Sequence, residues 1–153
     1  MKNREPMRIL LVEDNIDHAE MVIRCLEDAP VAHTVVHVED GEAALDYLYA
    51  RGAFGHRDSS DLPHLMLMDL RMPKVNGLEV LAQIKGNDQL RALPVVILTT
   101  SNAETDIAQA YANHANSYLT KPADFAELGR MLKDLLAFWL NWNRTIVMPL
   151  HPE

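Results

Sequence analysis

Where runs of apolar residues stop in this chain, chemically able side chains begin. Glu13 and Asp14 follow Met7 to Val12, Asp69 follows Leu65 to Met68, Thr99 closes Val95 to Leu98, and Lys121 follows Ser117 to Thr120. If those runs are parallel strands, all five side chains fall on one sheet edge, the edge where open α/β sheets bind ligands. Three carboxylates gathered there would repel one another, and one or more would take up a proton unless a cation intervened. Magnesium suits such a place, because this hard ion needs only one or two carboxylates together with a phosphate oxygen. A lysine and a hydroxyl facing the same point add a positive charge and a donor. The chemistry this implies is that of a phosphoryl group. Taken alone, Asp69 would serve equally as a loop or capping carboxylate.

The elements that must position these residues can be read from the periodicity. The unbroken apolar run Leu65 to Met68, bounded by turn residues, reads as a strand buried on both faces, as in parallel sheets covered by helices. Met7 to Val12, Thr34 to Val38, Val95 to Leu98 and Ser117 to Thr120 read as the other strands. Helical spacing links Ala19, Val22, Ile23 and Leu26, then Ala44, Leu45 and Leu48, then Val80, Leu81 and Ile84. An alanine-rich fourth helix runs from Glu104 to Ala112. The last helix begins at Asp124 with a stripe of Phe125, Leu128, Leu132, Leu135, Leu136 and Trp139. Strands alternating with helices imply right-handed crossovers and a parallel sheet. Ala50 to Pro63 has no period and exceeds the usual connection of about 2–6 residues, so it reads as an exposed insertion.

Composition narrows the classes. A chain of 153 residues fits one domain, and a lone cysteine, Cys25, excludes an internal disulfide and a cysteine-based zinc site. That cysteine usage favours a reducing compartment, so a cytoplasmic protein is expected. The first apolar run is too short and too soon interrupted for a signal peptide or membrane span. Net charge is -8 with no basic run, which argues against nucleic-acid binding. The 7 histidines show no metal-ligand spacing, and none is proposed as a ligand.

An aspartate beside magnesium and phosphate can attack phosphorus and form an aspartyl phosphate. Phosphatases of the haloacid dehalogenase kind carry a second aspartate two residues later as their acid, and here that position holds Arg71. A longer-lived phosphorylated state is therefore expected, with a Mg²⁺-dependent phosphatase as the alternative. The Glu13-Asp14 pair, the loop Asp69-Leu70-Arg71-Met72-Pro73-Lys74-Val75-Asn76-Gly77, Thr99-Thr100 and Lys121-Pro122 together resemble, in order and spacing, the response-regulator receiver domain of two-component signalling. The likeness spans residues 7 to 137. Asn76 stands where many receivers have Asp, and both suit a turn.

What the resemblance implies is specific. The fold would be a flavodoxin-like doubly wound five-stranded parallel sheet, order 2-1-3-4-5, with five helices and a C-terminal arm. Asp69 would be the phosphoacceptor, with Glu13, Asp14, Asp69 and the backbone carbonyl of Arg71 around Mg²⁺. Thr99 and Lys121 would bind phosphoryl oxygens, Thr99 with Tyr118 would form the switch, and the Lys121-Pro122 bond would be cis. Tyr118 would serve equally as core filler, and Thr100 could replace Thr99 as ligand. The donor would be a histidine kinase, and the phosphoryl group could pass onward to a histidine phosphotransfer protein.

The end of the chain is too apolar for a frayed terminus. Residues 7–140 read as the receiver and 141–153 as an arm too short for a winged helix or helix-turn-helix output module. Both tryptophans lie near the junction. Met131, Phe138, Trp142, Ile146 and Met148 remain once the core stripe is assigned, and they are expected to form a homodimer interface, since interfaces are enriched in such residues. A tail folded back on its own domain is the alternative. The Phe138-Trp139 to Pro149-Leu150 ending and the insertion from Arg51 to Pro63 resemble stand-alone receivers paired with bacterial and cyanobacterial phytochromes.

Overall fold

The structure, a computed structural model, describes residues 6–28 and 33–144. Five strands, β1 (Met7–Val12), β2 (His33–Val38), β3 (Leu65–Met68), β4 (Val95–Thr99) and β5 (Ser117–Thr120), form one parallel sheet in the order β2-β1-β3-β4-β5. The helices between and after them are α1 (Ile16–Glu27), α2 (Gly41–Tyr49), α3 (Gly77–Lys85), α4 (Glu104–Ala112) and α5 (Phe125–Leu136). The order reverses between β1 and β3, which opens a crevice at the C-terminal sheet edge. The expected topology is the one observed.

Alternate residues of each central strand feed two cores. Ile9, Leu11, Leu65, Leu67, Val96 and Leu98 pack with α1 and α5 on one face. Leu10, Val12, Met66, Met68, Val95 and Ile97 pack with α2 and α3 on the other, joined by Ala110 of α4. Burial on both faces is why these strands are continuous apolar runs rather than alternating ones. Helix starts are capped by side chains: Asn15, Asp40, Asn76 and Asp124 each accept a backbone N–H from the first turn. Among the described residues, no helix is long and apolar enough to cross a membrane.

Three local details extend or correct the expectations. First, the segment after α2 is largely exposed, as expected, and carries local structure: Gly52–Phe54 forms a 3₁₀ turn, and the Phe54 ring meets Tyr47 edge-on at 5.1 Å. The Arg57 guanidinium stacks 3.7 Å over the Tyr47 ring and donates to the Tyr47 carbonyl in the last turn of α2, which also accepts the Ala50 N–H at 3.3 Å. Such contacts have no periodicity to announce them. Second, the core stripe of α5 starts one turn later than read, at Leu128, because Phe125, the first helical residue, is exposed. Third, α5 does not simply continue: Ala137–Trp142 is a π-helical segment, closed by a hydrogen bond from Asn143 N–H to the Phe138 carbonyl. The widened turn seats Trp139 in the core and leaves Phe138 and Trp142 outside.

Candidate functional site

Each functional loop starts by extending the sheet by one residue. The N–H of Glu13 donates to the Val38 carbonyl at 3.0 Å, that of Asp69 to Val12 at 3.1 Å, and that of Lys121 to Thr99 at 2.7 Å. These bonds hold the first residue past β1, β3 and β5 as firmly as the strands themselves. The result is a polar cluster at the sheet edge in which Glu13, Asp69, Thr99 and Lys121 are all buried. Asp14 is exposed at its rim. Carboxylate oxygens of Glu13, Asp14 and Asp69 lie within 4.8 Å of one another.

The Lys121 ammonium is the hub. It donates to Glu13 Oε1, to Asp69 Oδ2 at 3.2 Å and to His18 Nδ1 at 3.1 Å. The other Asp69 oxygen, Oδ1, accepts the Arg71 N–H at 3.1 Å. Burial pushes the Glu13 carboxyl up to about 7, with Asp69 adding repulsion and Lys121 pulling the other way. The rise comes chiefly from burial, with repulsion between the gathered acids a lesser cause than the sequence reading implied. The His18 imidazole is held below its usual range by burial and then by the Lys121 charge. Glycine at position 77 follows from packing, because a Cβ there would stand 2.5 Å from the Asp69 carbonyl oxygen.

The structure thus brings Glu13, Asp14, Asp69 and Lys121 together. Thr99 ends β4, fully buried, and its hydroxyl accepts the Ser101 N–H at 3.4 Å. Tyr118 is half-buried on β5 and donates its hydroxyl to the Ser101 carbonyl at 2.8 Å; burial raises its phenol above the ordinary value. The Lys121-Pro122 bond is trans, not cis as expected; no cis bond occurs among the described residues, and trans is the intrinsically favoured form even before proline. Met131 is half-buried and packs partly against the core of its own domain, so it does not simply point outward. Phe138 and Trp142 are 52% and 80% exposed, whereas Ile146 and Met148 lie outside the described residues.

Two features were missed from sequence. His18 has no motif partner nearby in the chain, but the first turn of α1 sets it beside Lys121, more than a hundred residues away. Ser101 and Asp106 also escaped notice. Asp106 accepts from the Ser101 hydroxyl at 2.5 Å and pairs with Arg71 at 2.9 Å, and these bonds hold its carboxyl below the usual range. A cleft of about 410 Å³ adjoins the site, lined by Asp14, Arg71, Met72, Pro73, Leu78 and Asp106 among others.

The donor set fits a hard divalent cation, magnesium among them, because clustered carboxylate oxygens with excess negative charge are what such ions take. A flavodoxin-like sheet carrying an aspartate at the end of β3, acids after β1 and a lysine after β5 defines the receiver class of α/β proteins. Residues 9–133 match the family model of the response regulator receiver domain. The chain belongs to that family. It is 46% identical over 145 residues to the probable methanogenesis regulatory protein FilR2 of Methanothrix harundinacea, covering 95% of this chain and 91% of that one. It is 38% identical to the response regulator Rcp1 of Synechocystis, covering 97% of both. The crystal structure of Mn²⁺-bound Rcp1 superimposes with a TM-score of 0.87 at 38% identity, over 92% of this chain and 99% of that one. The phosphorylated cyanobacterial phytochrome response regulator RcpA gives the same TM-score, identity and coverage.

Proposed function

We propose that this response regulator takes a phosphoryl group from the phosphohistidine of a histidine kinase onto Asp69, in the cytoplasm, and signals through the resulting change of shape. The observation that carries this reading is the Asp69 carboxylate, buried at the sheet edge with Lys121 donating to it and Glu13 and Asp14 beside it. An Asp69 oxygen forms the new bond to phosphorus as the phosphorus–nitrogen bond breaks, and the imidazole departs with that electron pair. Glu13, Asp14, Asp69 and the Arg71 carbonyl would hold Mg²⁺, which when bound supplies charge neutralisation for the phosphoryl oxygens. Lys121 and the Thr99 hydroxyl are the donors for those oxygens. Thr99 reaches Tyr118 through Ser101, so a hydroxyl drawn toward the phosphoryl group would shift the backbone that Tyr118 holds.

Arg71 stands where an aspartyl-phosphate phosphatase carries its acid, and its side chain pairs with Asp106, which favours a switch over a turnover enzyme. The switch assists its own phosphorylation and its slow dephosphorylation. The likeness to Rcp1 and RcpA supports a phytochrome-type kinase as donor, with onward transfer to a histidine phosphotransfer protein as a second outlet. Residues 7–140 act as the receiver and 141–153 as an arm that, with Met131, Phe138, Trp142, Ile146 and Met148, pairs two copies of the chain. The exposed Phe138 and Trp142 rings support this. The test is labelling with phosphoramidate and Mg²⁺: one stable label per chain is expected, lost in Asp69→Asn. A label retained in that variant, or steady hydrolysis of a generic phosphomonoester, refutes the reading.

A further inference from the structure

Lysine ammonium is donor-only, with three protons to place, and Lys121 places them on Glu13, Asp69 and His18. Two of these acceptors come from outside the acceptor strand: Glu13 from the end of β1 and His18 from the first turn of α1. Because Lys121 can only donate, His18 Nδ1 must offer its lone pair, which leaves the ring proton on Nε2. The α1 cap fixes where that ring stands, since Asn15 Oδ1 accepts the His18 N–H at 3.1 Å. Exposure separates the members: the side chains of Lys121 and Glu13 are 2% and 3% exposed, whereas that of His18 is 33% exposed. His18 is thus the third acceptor of the ammonium and the most exposed of its three partners.

We propose that His18 is a positioning residue for phosphoryl transfer, acting through Lys121. A lysine head on a flexible four-carbon stem has no preferred aim of its own. Held on two sides by Glu13 and His18, its remaining proton points at Asp69, where the phosphoryl group arrives. Without the His18 lone pair, one proton is left unpaired at a buried site, and the head turns away from Asp69 or admits water to recover the lost bond. This inference rests on Asp69 being the phosphoacceptor.

Two substitutions separate the acceptor from the bulk. His18→Asn keeps an oxygen two bonds from Cβ, where Nδ1 stands, and His18→Phe keeps the ring but removes the lone pair. Each full-length variant is labelled with phosphoramidate at saturating Mg²⁺, and its Mg²⁺ affinity and urea midpoint are measured alongside. His18→Phe should be labelled about tenfold more slowly, the effect of losing one hydrogen bond to a charged group. His18→Asn should restore the rate to within about twofold, with Mg²⁺ affinity unchanged in both. Parental labelling in His18→Phe overturns the proposal, as does Asn as slow as Phe or a parallel loss of Mg²⁺ affinity. Asp69→Asn runs beside them: a label retained there refutes the phosphoacceptor assignment itself and is distinguishable from any failure at His18.

Discussion

Gly77 opens α3 directly behind Asp69, and its N–H donates to the Leu70 carbonyl at 2.9 Å. In Gly77→Ala the new methyl would stand 2.5 Å from the Asp69 carbonyl oxygen and 2.7 Å from the Leu70 Cα, against ordinary contact from 3.4 Å. Both obstacles are backbone, so no side chain can swing aside. The loop carrying Asp69 or the start of α3 must move by about 1 Å, a misplacement that can cost about a hundredfold in rate when it falls on a reacting group. Overpacking of this kind typically destabilises by about 1–3 kcal/mol. Gly129 is the internal contrast, because it lies within α5 and a methyl there meets only Cys25 Sγ, at 4.0 Å. Gly129→Ala should stabilise by about 0.5–1 kcal/mol, the helix-interior penalty of glycine relative to alanine. Urea unfolding followed by circular dichroism and phosphoramidate labelling of both variants give the comparison. A Gly77→Ala protein with parental midpoint and parental labelling rate would refute the claim that backbone contact behind Asp69 sets its position.

Glu13 loses its proton near pH 7 when folded but near 4.5 in the ordinary state, so the folded protein holds an extra proton between those values. Its contribution to stability is fully present below about pH 4.5 and fades as pH rises through about 7; Glu13→Gln should flatten that part of the pH–stability curve, measured by urea midpoints. Thr99→Ala should still accept phosphate on Asp69 yet change little on phosphorylation, read by hydrogen exchange over residues 99 to 120; a parental response would separate Thr99 from Tyr118. Trp139→Ala should cost about 3–5 kcal/mol as a buried aromatic, whereas Trp142→Ala should stay within about 0.5 kcal/mol of the parent. If the arm pairs two copies, Trp142→Ala with Phe138→Ala shifts sedimentation toward monomer, and unchanged sedimentation withdraws the dimer.

The central strands were legible because β1, β3 and β4 are buried on both faces, which leaves an unbroken apolar signature that only a covered parallel sheet needs. The site followed from them, since Asp69 and Lys121 are simply the next residues after strands that end together. What stayed hidden depends on chain segments meeting without a shared period. Arg57 reads as a charged loop residue until it lies on Tyr47. His18 reads as one polar position of a helix until β5 brings Lys121 to it. Phe125 matches the apolar spacing of α5 but lies ahead of its first buried turn, so spacing alone assigned it to the core wrongly. The change from α to π after Leu136 leaves no mark in the apolar stripe, because a 3.6-residue pattern does not distinguish the two windings.

That π segment has an optical consequence. The chain has 2 tryptophans, three positions apart, and the widened turn places one of them 8% and the other 80% exposed. An indole in the core, edge-on to Phe138 at 5.5 Å, emits from an apolar cage, while its neighbour emits from water. Their spectra should therefore separate, with the blue component resisting an aqueous quencher such as iodide and the red one yielding to it. One reports the integrity of the sheet and helices, the other whatever covers the outer face of the segment. The protein thus carries two built-in fluorophores whose colours track folding and the exposure of the segment's outer face independently, with no label attached.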